Sequence, residues 1–168
     1  MNKTSTLWIR KRSKIQGWGI FAATDIKKNT KIIQYVGEKI TIKESWRREE
    51  VRLQLKKRGG VGHVFTFQLN KRYEIDGNVP SNHARHINHS CEPNAEALQE
   101  GNEIWIVAKK NIMKGEEITY DYGFPFATWR DHPCLCGTSS CVGYIVQKSQ
   151  RWRVRKIHQK NLVKNNKI

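Results

Sequence analysis

From Asn82 to Asn94 the chain reads Asn-His-Ala-Arg-His-Ile-Asn-His-Ser-Cys-Glu-Pro-Asn. A run so dense in Asn, His and Arg needs hydrogen-bonding partners if it is buried, and a small polar ligand could supply them; an exposed loop is the plainer alternative. Further on, Ile118-Thr119-Tyr120-Asp121-Tyr122-Gly123 sets two tyrosines one residue apart. On a strand both point to the same side, so both hydroxyls can line one pocket. Cys134, Cys136 and Cys141 then offer three thiolates in a CxCxxxxC array. A closed zinc site takes four ligands, and Cys91 is the one cysteine left to complete it.

Two weaker features accompany these. Gly17-Trp18-Gly19, after Lys14, would let the backbone approach a ligand closely, because glycine has no Cβ, although alone it reads as a tight turn. Tyr35-Val36-Gly37-Glu38 closes an apolar stretch, and alone Tyr35 is an ordinary half-buried tyrosine.

The elements that must position these residues are mostly short strands. Gly, Pro and Asn punctuate segments rich in Ile, Val, Phe and Tyr, which is a β-rich pattern. His63 to Leu69 alternates, with Phe65, Phe67 and Leu69 on one face. Residues 30–36, 103–108 and 117–122 are further strand candidates, the last preceded by a Lys114-Gly115 turn. One helix is predicted from a capping box at Thr41-Ile42-Lys43-Glu44 through Arg58, with Glu44 paired to Arg48 and Gly59-Gly60 as its stop. Its apolar stripe is thin, so it belongs on the surface. From Gln147 the chain turns basic with scattered Trp152, Val154, Ile157 and Leu162, which reads as a short amphipathic helix or a partly disordered tail.

Size and charge bound the function. A chain of 168 residues with 38% hydrophobic content can bury one real core. No stretch approaches the roughly 18 apolar residues of a membrane span, and residues 1–14 lack a signal-peptide block, so a soluble, intracellular protein is expected. The net charge of +16 lies at the ends: residues 1–24 carry five basic residues and residues 132–168 carry eight, with no acid in either segment. Basic ends suit a polyanion such as DNA, RNA or an acidic protein surface, or serve only as solvated charge. The cysteines have no sign of an oxidising compartment, which favours metal over disulfides.

The motifs occur in the order Gly-Trp-Gly, Tyr-Val-Gly-Glu, Arg-His-Ile-Asn-His-Ser-Cys-Glu-Pro-Asn, Glu-Ile-Thr-Tyr-Asp-Tyr-Gly, and then the cysteine array. In that order the chain resembles the SET-domain protein lysine methyltransferases with a post-SET zinc segment, over roughly residues 8–145. The resemblance implies a mainly β fold with few helices, the β-clip arrangement of small curved sheets, with a threaded, pseudoknot-like C-terminal part and a zinc-bound post-SET segment. It divides the chain into a basic lead (1–7), the SET domain (8–125), the post-SET segment (126–145) and a basic tail (146–168).

By position, the resemblance places Gln16, Gly17 and Trp18 around the methionine end of S-adenosylmethionine, with Lys14 near its carboxylate. Arg85, Asn88 and His89 complete the cofactor pocket, Asn88 and His89 through hydrogen bonds to the adenine and amino groups, and Phe65, Phe126 and Leu135 pack on the cofactor. Tyr122 matches the catalytic tyrosine and also faces the cofactor, Tyr35 lines the lysine channel opposite it, and Cys91, Cys134, Cys136 and Cys141 hold one structural zinc. Tyr120 stands where the family has Phe or Tyr and limits how many methyls are added, which implies monomethylation, extending at most to dimethylation. Two departures are His86, where the family usually has an aromatic such as Phe, and the absence of a cysteine-rich region ahead of Leu7, which implies a minimal N-terminal cover or one supplied by a partner.

The implied activity is methyl transfer to a lysine of a protein, leaving S-adenosylhomocysteine. A lysine amine attacks only when neutral, and a dry aromatic channel favours that form by desolvation. A histone tail or another chromatin-associated protein is the favoured substrate, with DNA or nucleosome contact through the basic termini and residence at chromatin. The alternatives are a non-histone target such as a ribosomal protein in the cytoplasm, or an inactive zinc-stabilised nucleic-acid-binding module.

Overall fold

The computed structural model describes residues 7–57 and 65–165. Two compact units can be distinguished along this chain.

The first unit comprises residues 7–30, 87–96 and 108–165. Its sheet has the order β1-β2-β10-β7, from β1 (Trp8–Arg12), β2 (Trp18–Ala22), β7 (Asn88–His89) and β10 (Glu117–Tyr120). Strand β10 lies between β2, with which it runs antiparallel, and the two-residue β7, with which it runs parallel through Thr119↔Asn88 and Tyr120↔His89. This places the Asn-His pair beside the strand that leads to Tyr122. Ile20, Ile87, Ile112 and Ile118 are fully buried here, and Ile26 and Ile112 form a two-way backbone bridge. Asn94 adds a side-chain rung: its amide donates to Glu117 O at 2.8 Å and accepts from Thr119 N–H at 2.9 Å, so it pairs with β10 as a neighbouring strand would.

Residues 126–165 of this unit form a second cluster. Trp129, Val142, Val146 and Val154 are buried together, with Phe126, Tyr144 and Ile157 packed on them. Val154 belongs to helix α2 (Arg151–Asn165). The segment that reads from its sequence as a basic tail therefore packs on the cysteine segment.

The second unit comprises residues 31–57, 65–86 and 97–107. One sheet has the order β3-β9-β8, with β3 Lys31–Tyr35, β8 Ala95–Glu100 and β9 Glu103–Ala108; the other has the order β4-β6-β5, with β4 Glu38–Thr41, β5 Thr66–Gln68 and β6 Tyr73–Asp76. The expected strand at 63–69 appears as β5, shorter than predicted, and His63 and Val64 lie outside the described residues.

Helix α1 (Ile42–Lys57) starts where the capping box predicts, with Thr41 Oγ1 accepting the Glu44 N–H at 3.2 Å. The Glu44 carboxylate does not turn back to the cap but takes Arg47 and Arg48, each at 2.8 Å. The thin apolar stripe has a physical reason: α1 is fastened by polar groups at i, i+3 and i+7. Ser45 donates to Glu74, Arg48 to Asp76 at 2.9 Å and Arg52 to Asp76 at 2.7 Å. Burial pushes the Asp76 carboxyl up, yet the two guanidinium groups outweigh it and the net shift is downward. Trp46, Val51, Leu53 and Leu55 are left exposed. The Gly59-Gly60 stop lies outside the described residues.

Candidate active site

The turn at Gly17 anchors one wall of the site in the first unit. Gly17 has φ +51°, a left-handed conformation that glycine adopts without strain, and its carbonyl accepts from Ser13 N–H at 3.0 Å. The buried Asn88 amide lies under this turn, donating to Gln16 O at 3.3 Å, Trp18 O at 3.1 Å and Glu117 Oε1 at 2.7 Å. Glu117 Oε2 takes the Ser13 hydroxyl at 2.8 Å. A Cβ at Gly19 would lie 2.4 Å from Glu117 Oε1, so only glycine leaves room for this carboxylate.

His89 is buried with both ring nitrogens engaged. Nδ1 accepts the Tyr122 backbone N–H at 3.2 Å, which leaves the proton on Nε2, 3.5 Å from Cys91 Sγ. The Tyr122 hydroxyl donates to Ile87 O at 2.8 Å, and desolvation pushes its phenol above the ordinary tyrosine value. The Tyr120 and Tyr122 ring centroids are 4.9 Å apart. β10 ends at Tyr120, two residues before the predicted limit, because Asp121 turns the chain: its Oδ1 accepts Gly123 N–H at 3.1 Å, and Gly123 has φ +67°.

A pocket opens among Ile15, Gln16, Asn88, His89, Tyr122, Pro133, Cys134, Leu135 and Ile145. It joins apolar walls from Ile15, Pro133, Leu135 and Ile145 to the polar Gln16, Asn88 and His89. Of the residues expected around the cofactor, Gln16, Asn88, His89, Tyr122 and Leu135 line it. Lys14 is exposed beside it, and Trp18 is exposed with Arg10 and Arg12 over its ring at 4.8 and 4.3 Å. Phe126 does not line this pocket: it stacks on Trp129, with Arg153 4.6 Å above its ring.

The four cysteines converge, with all Sγ atoms within 4.8 Å of one another and Cys91 and Cys134 at 3.9 Å. Thiolates around a tetrahedral zinc, with Zn–S about 2.3 Å, stand about 3.8 Å apart, so the spacing fits a metal. Backbone N–H groups of Cys91 and Gly143 point at Cys136 and Cys141 sulfurs, as suits thiolate acceptors. Cys91 and Cys134, whose sulfurs share one hydrogen bond, are pulled apart, the Cys91 pKa down and that of Cys134 up. Four thiolates cannot all ionise here without a cation. The Cys91 loop and the C-terminal segment are stitched independently of metal, since Glu92 Oε1 accepts Ser139 Oγ at 2.9 Å and Ser140 N–H at 3.0 Å.

In the second unit, Tyr35 is buried, donates to Phe65 O at 2.8 Å and packs edge-on to Phe67 at 4.6 Å. A Cβ on Gly77 would come within 2.3 Å of the Tyr35 ring, so that glycine leaves the ring its place. Arg85 and His86 are half-buried in a 3-10 turn over His83–His86.

Glu117, Ser13, Asn94 and Asp121 organise this region without standing out in the sequence as ligands. The sequence model of the SET domain matches residues 17–123. The chain belongs to the SET-domain family. It is 38% identical over 138 residues, 80% of this chain, to the Caenorhabditis elegans protein named histone-lysine N-methyltransferase set-2. It is 38% identical over 135 residues to human histone-lysine N-methyltransferase 2D, and 39% identical over 137 residues to a Schizosaccharomyces pombe histone-lysine N-methyltransferase named as H3 lysine-4 specific; these matches cover 77% and 79% of the chain. The SET chain spans only 9%, 2% and 14% of the lengths of these three relatives.

Proposed function

We propose that this chain is an S-adenosylmethionine-dependent protein lysine methyltransferase whose substrates are histones. The observation that carries the reading is the pocket that brings Gln16, Asn88, His89 and Leu135 together with the Tyr122 ring. S-adenosylmethionine, when bound, supplies an electrophilic methyl group on a sulfonium. Asn88 keeps the Gln16–Trp18 turn in place for it, and Leu135 and Ile145 exclude water. The Tyr122 phenol stays protonated and oriented by Ile87 O, a fixed dipole beside the reacting atoms. Tyr35 and Tyr120 serve the lysine, and Tyr120 restrains the product to monomethyl or dimethyl lysine. Arg85 and Phe65 complete the cofactor contacts. One structural zinc occupies the four cysteines.

The names of the relatives support a histone substrate, and with it residence at chromatin; no helix among the described residues is long and apolar enough to cross a membrane. Helix α2 supports contact with DNA: Arg153, Lys156 and Lys160 stand exposed at i, i+3 and i+7 beside exposed Trp152, and residues 132–168 hold no acid.

The test is incubation with labelled cofactor and a panel of histones, nucleosomes and cell extract, followed by site mapping. Labelling of a histone lysine that falls about a hundredfold in Tyr122→Phe is expected. Labelling undiminished in that variant would remove Tyr122 from the chemistry, and no labelling of any protein would remove the activity. Added salt should weaken transfer to nucleosomes more than transfer to a short peptide; equal sensitivity would refute docking through α2.

A further inference from the structure

Arg151, the first residue of α2, is 5% exposed, and its guanidinium is turned inward. Nε donates to Val146 O at 3.0 Å, one terminal nitrogen to Cys91 O at 2.7 Å and the other to Asp121 Oδ2 at 2.6 Å. These acceptors lie on three chain segments. The planar fork of arginine can serve all three at once, whereas a lysine ammonium has no such fixed geometry.

Each acceptor has a separate task. Val146 belongs to the cluster on which α2 packs. Cys91 gives its sulfur to the four-cysteine cluster. Asp121 stands between the two tyrosines, and its second oxygen holds the Gly123 N–H and lies 3.6 Å from His89 Nδ1, the atom that receives the Tyr122 N–H. If Arg151 only attached the helix, contacts within the Val146 cluster would suffice. Two of its three bonds reach beyond that cluster, to the loop carrying the zinc ligand and to the turn carrying Tyr122.

We propose that Arg151 is a positioning residue for methyl transfer, locking the Tyr122 turn to the Cys91 loop through Asp121 and the Cys91 carbonyl. Helix α2 is thereby part of the active-site scaffold. The inference rests on the methyltransferase reading for its catalytic consequence, while the brace itself can be measured without turnover. Asp121 supplies the counter-charge that a buried guanidinium requires.

The test compares Arg151→Lys, Asp121→Asn, their combination and Val154→Ala in the full chain. Arg151→Lys should keep its metal and its helical circular dichroism. Amide-exchange protection at Tyr122 and Gly123 should fall about tenfold, and kcat on a peptide about tenfold, with KM within about twofold. Asp121→Asn, which also leaves the buried guanidinium without its counter-charge, should cost at least as much, and the double variant should lose less than the product of the two single losses, because both cut the Arg151–Asp121 link. Val154→Ala, which trims the cluster but leaves every acceptor of the fork in place, should lower the melting temperature and cost kcat less than Arg151→Lys does. Unchanged protection in Arg151→Lys, multiplying losses in the double variant, or an equal kcat loss in Val154→Ala would each overturn the proposal. Loss of protection in a protein that transfers no methyl group would refute the activity and leave the brace standing.

Discussion

Asn88 and Glu117 meet at 2.7 Å beneath the Gly17 turn, and the same carboxylate holds Ser13 on its other oxygen. The pair joins both flanks of the turn to β10, so the peptide groups around Gln16 are set before a ligand arrives. Glu117→Gln can keep both contacts, accepting from Asn88 and donating to the Ser13 hydroxyl, but it takes the negative charge out of them. Affinity for S-adenosylhomocysteine, measured by titration calorimetry, should fall about tenfold while the far-ultraviolet circular dichroism stays unchanged, as expected when two charge-assisted hydrogen bonds become neutral ones. Unaltered affinity would mean that the turn holds itself.

The cysteine cluster makes a second prediction. Elemental analysis should find about one zinc per chain, and a chelator should release it with loss of tertiary structure between residues 126 and 165. Cys91→Ser removes one ligand and loosens the partner of His89 Nε2. It should therefore weaken zinc and cofactor binding together. A variant that loses zinc but binds cofactor normally would separate the two.

Tyr122 gives a prediction in alkaline solution. Its phenol is pushed above the ordinary value of 10.0 by burial. On unfolding it would ionise near that value, so the unfolded chain releases a proton that the folded chain keeps. The stability this group contributes is complete below about pH 10 and is lost as the pH rises toward its folded value. Denaturant melts between pH 9 and about 11 should show the loss, and Tyr122→Phe should lessen it. An identical pH slope in that variant would contradict the burial argument.

Some of this site could be read before the fold and some could not. Four cysteines in the chain leave one choice to join Cys134, Cys136 and Cys141, and Cys91 does cluster with them. The strands at 30–36 and 103–108 stood out as short segments rich in Ile and Val, and β3 and β9 lie there. Helix α2 was ambiguous because its inward face holds Arg151 beside Val154, and an arginine on a core face looks like surface charge until its acceptors are known. Asn94 and Glu117 were illegible for a related reason, since each acts through bonds to distant main chain or polar side chains. Helix α1 was located by its cap, while its docking through Ser45, Arg48 and Arg52 leaves no hydrophobic stripe to find.

Gly77 carries a prediction for the second unit. A methyl group there would come within 2.3 Å of the Tyr35 ring, too close for the ring to stay. Gly77→Ala should destabilise the protein by about 1–3 kcal/mol, a typical cost of overpacking, and should break the Tyr35 hydroxyl bond to Phe65 O. Tyr35→Phe on the Gly77→Ala background should then cost less than it does alone, because the bond is already lost. Equal costs on both backgrounds, measured by urea melts, would show that the ring had not moved.

On the proposed function, Tyr120 limits how many methyl groups are added. It is 7% exposed, and its ring lies 4.9 Å from that of Tyr122. If the substrate lysine enters beside Tyr122, as proposed, the Tyr120 phenol takes up room and hydrogen-bonding capacity next to its amine, so a lysine that already carries a methyl group has less freedom to turn for the next transfer. Tyr120→Phe removes one oxygen and leaves the ring in place. Mass spectra of a histone peptide should show mainly monomethyl product, at most dimethyl, with the unmutated protein, and a product carrying more methyl groups with the variant. The rate of the first transfer should change less than about tenfold, because Tyr122 keeps its own acceptor at Ile87. Trimethyl lysine from the unmutated protein would remove Tyr120 as the limit on product.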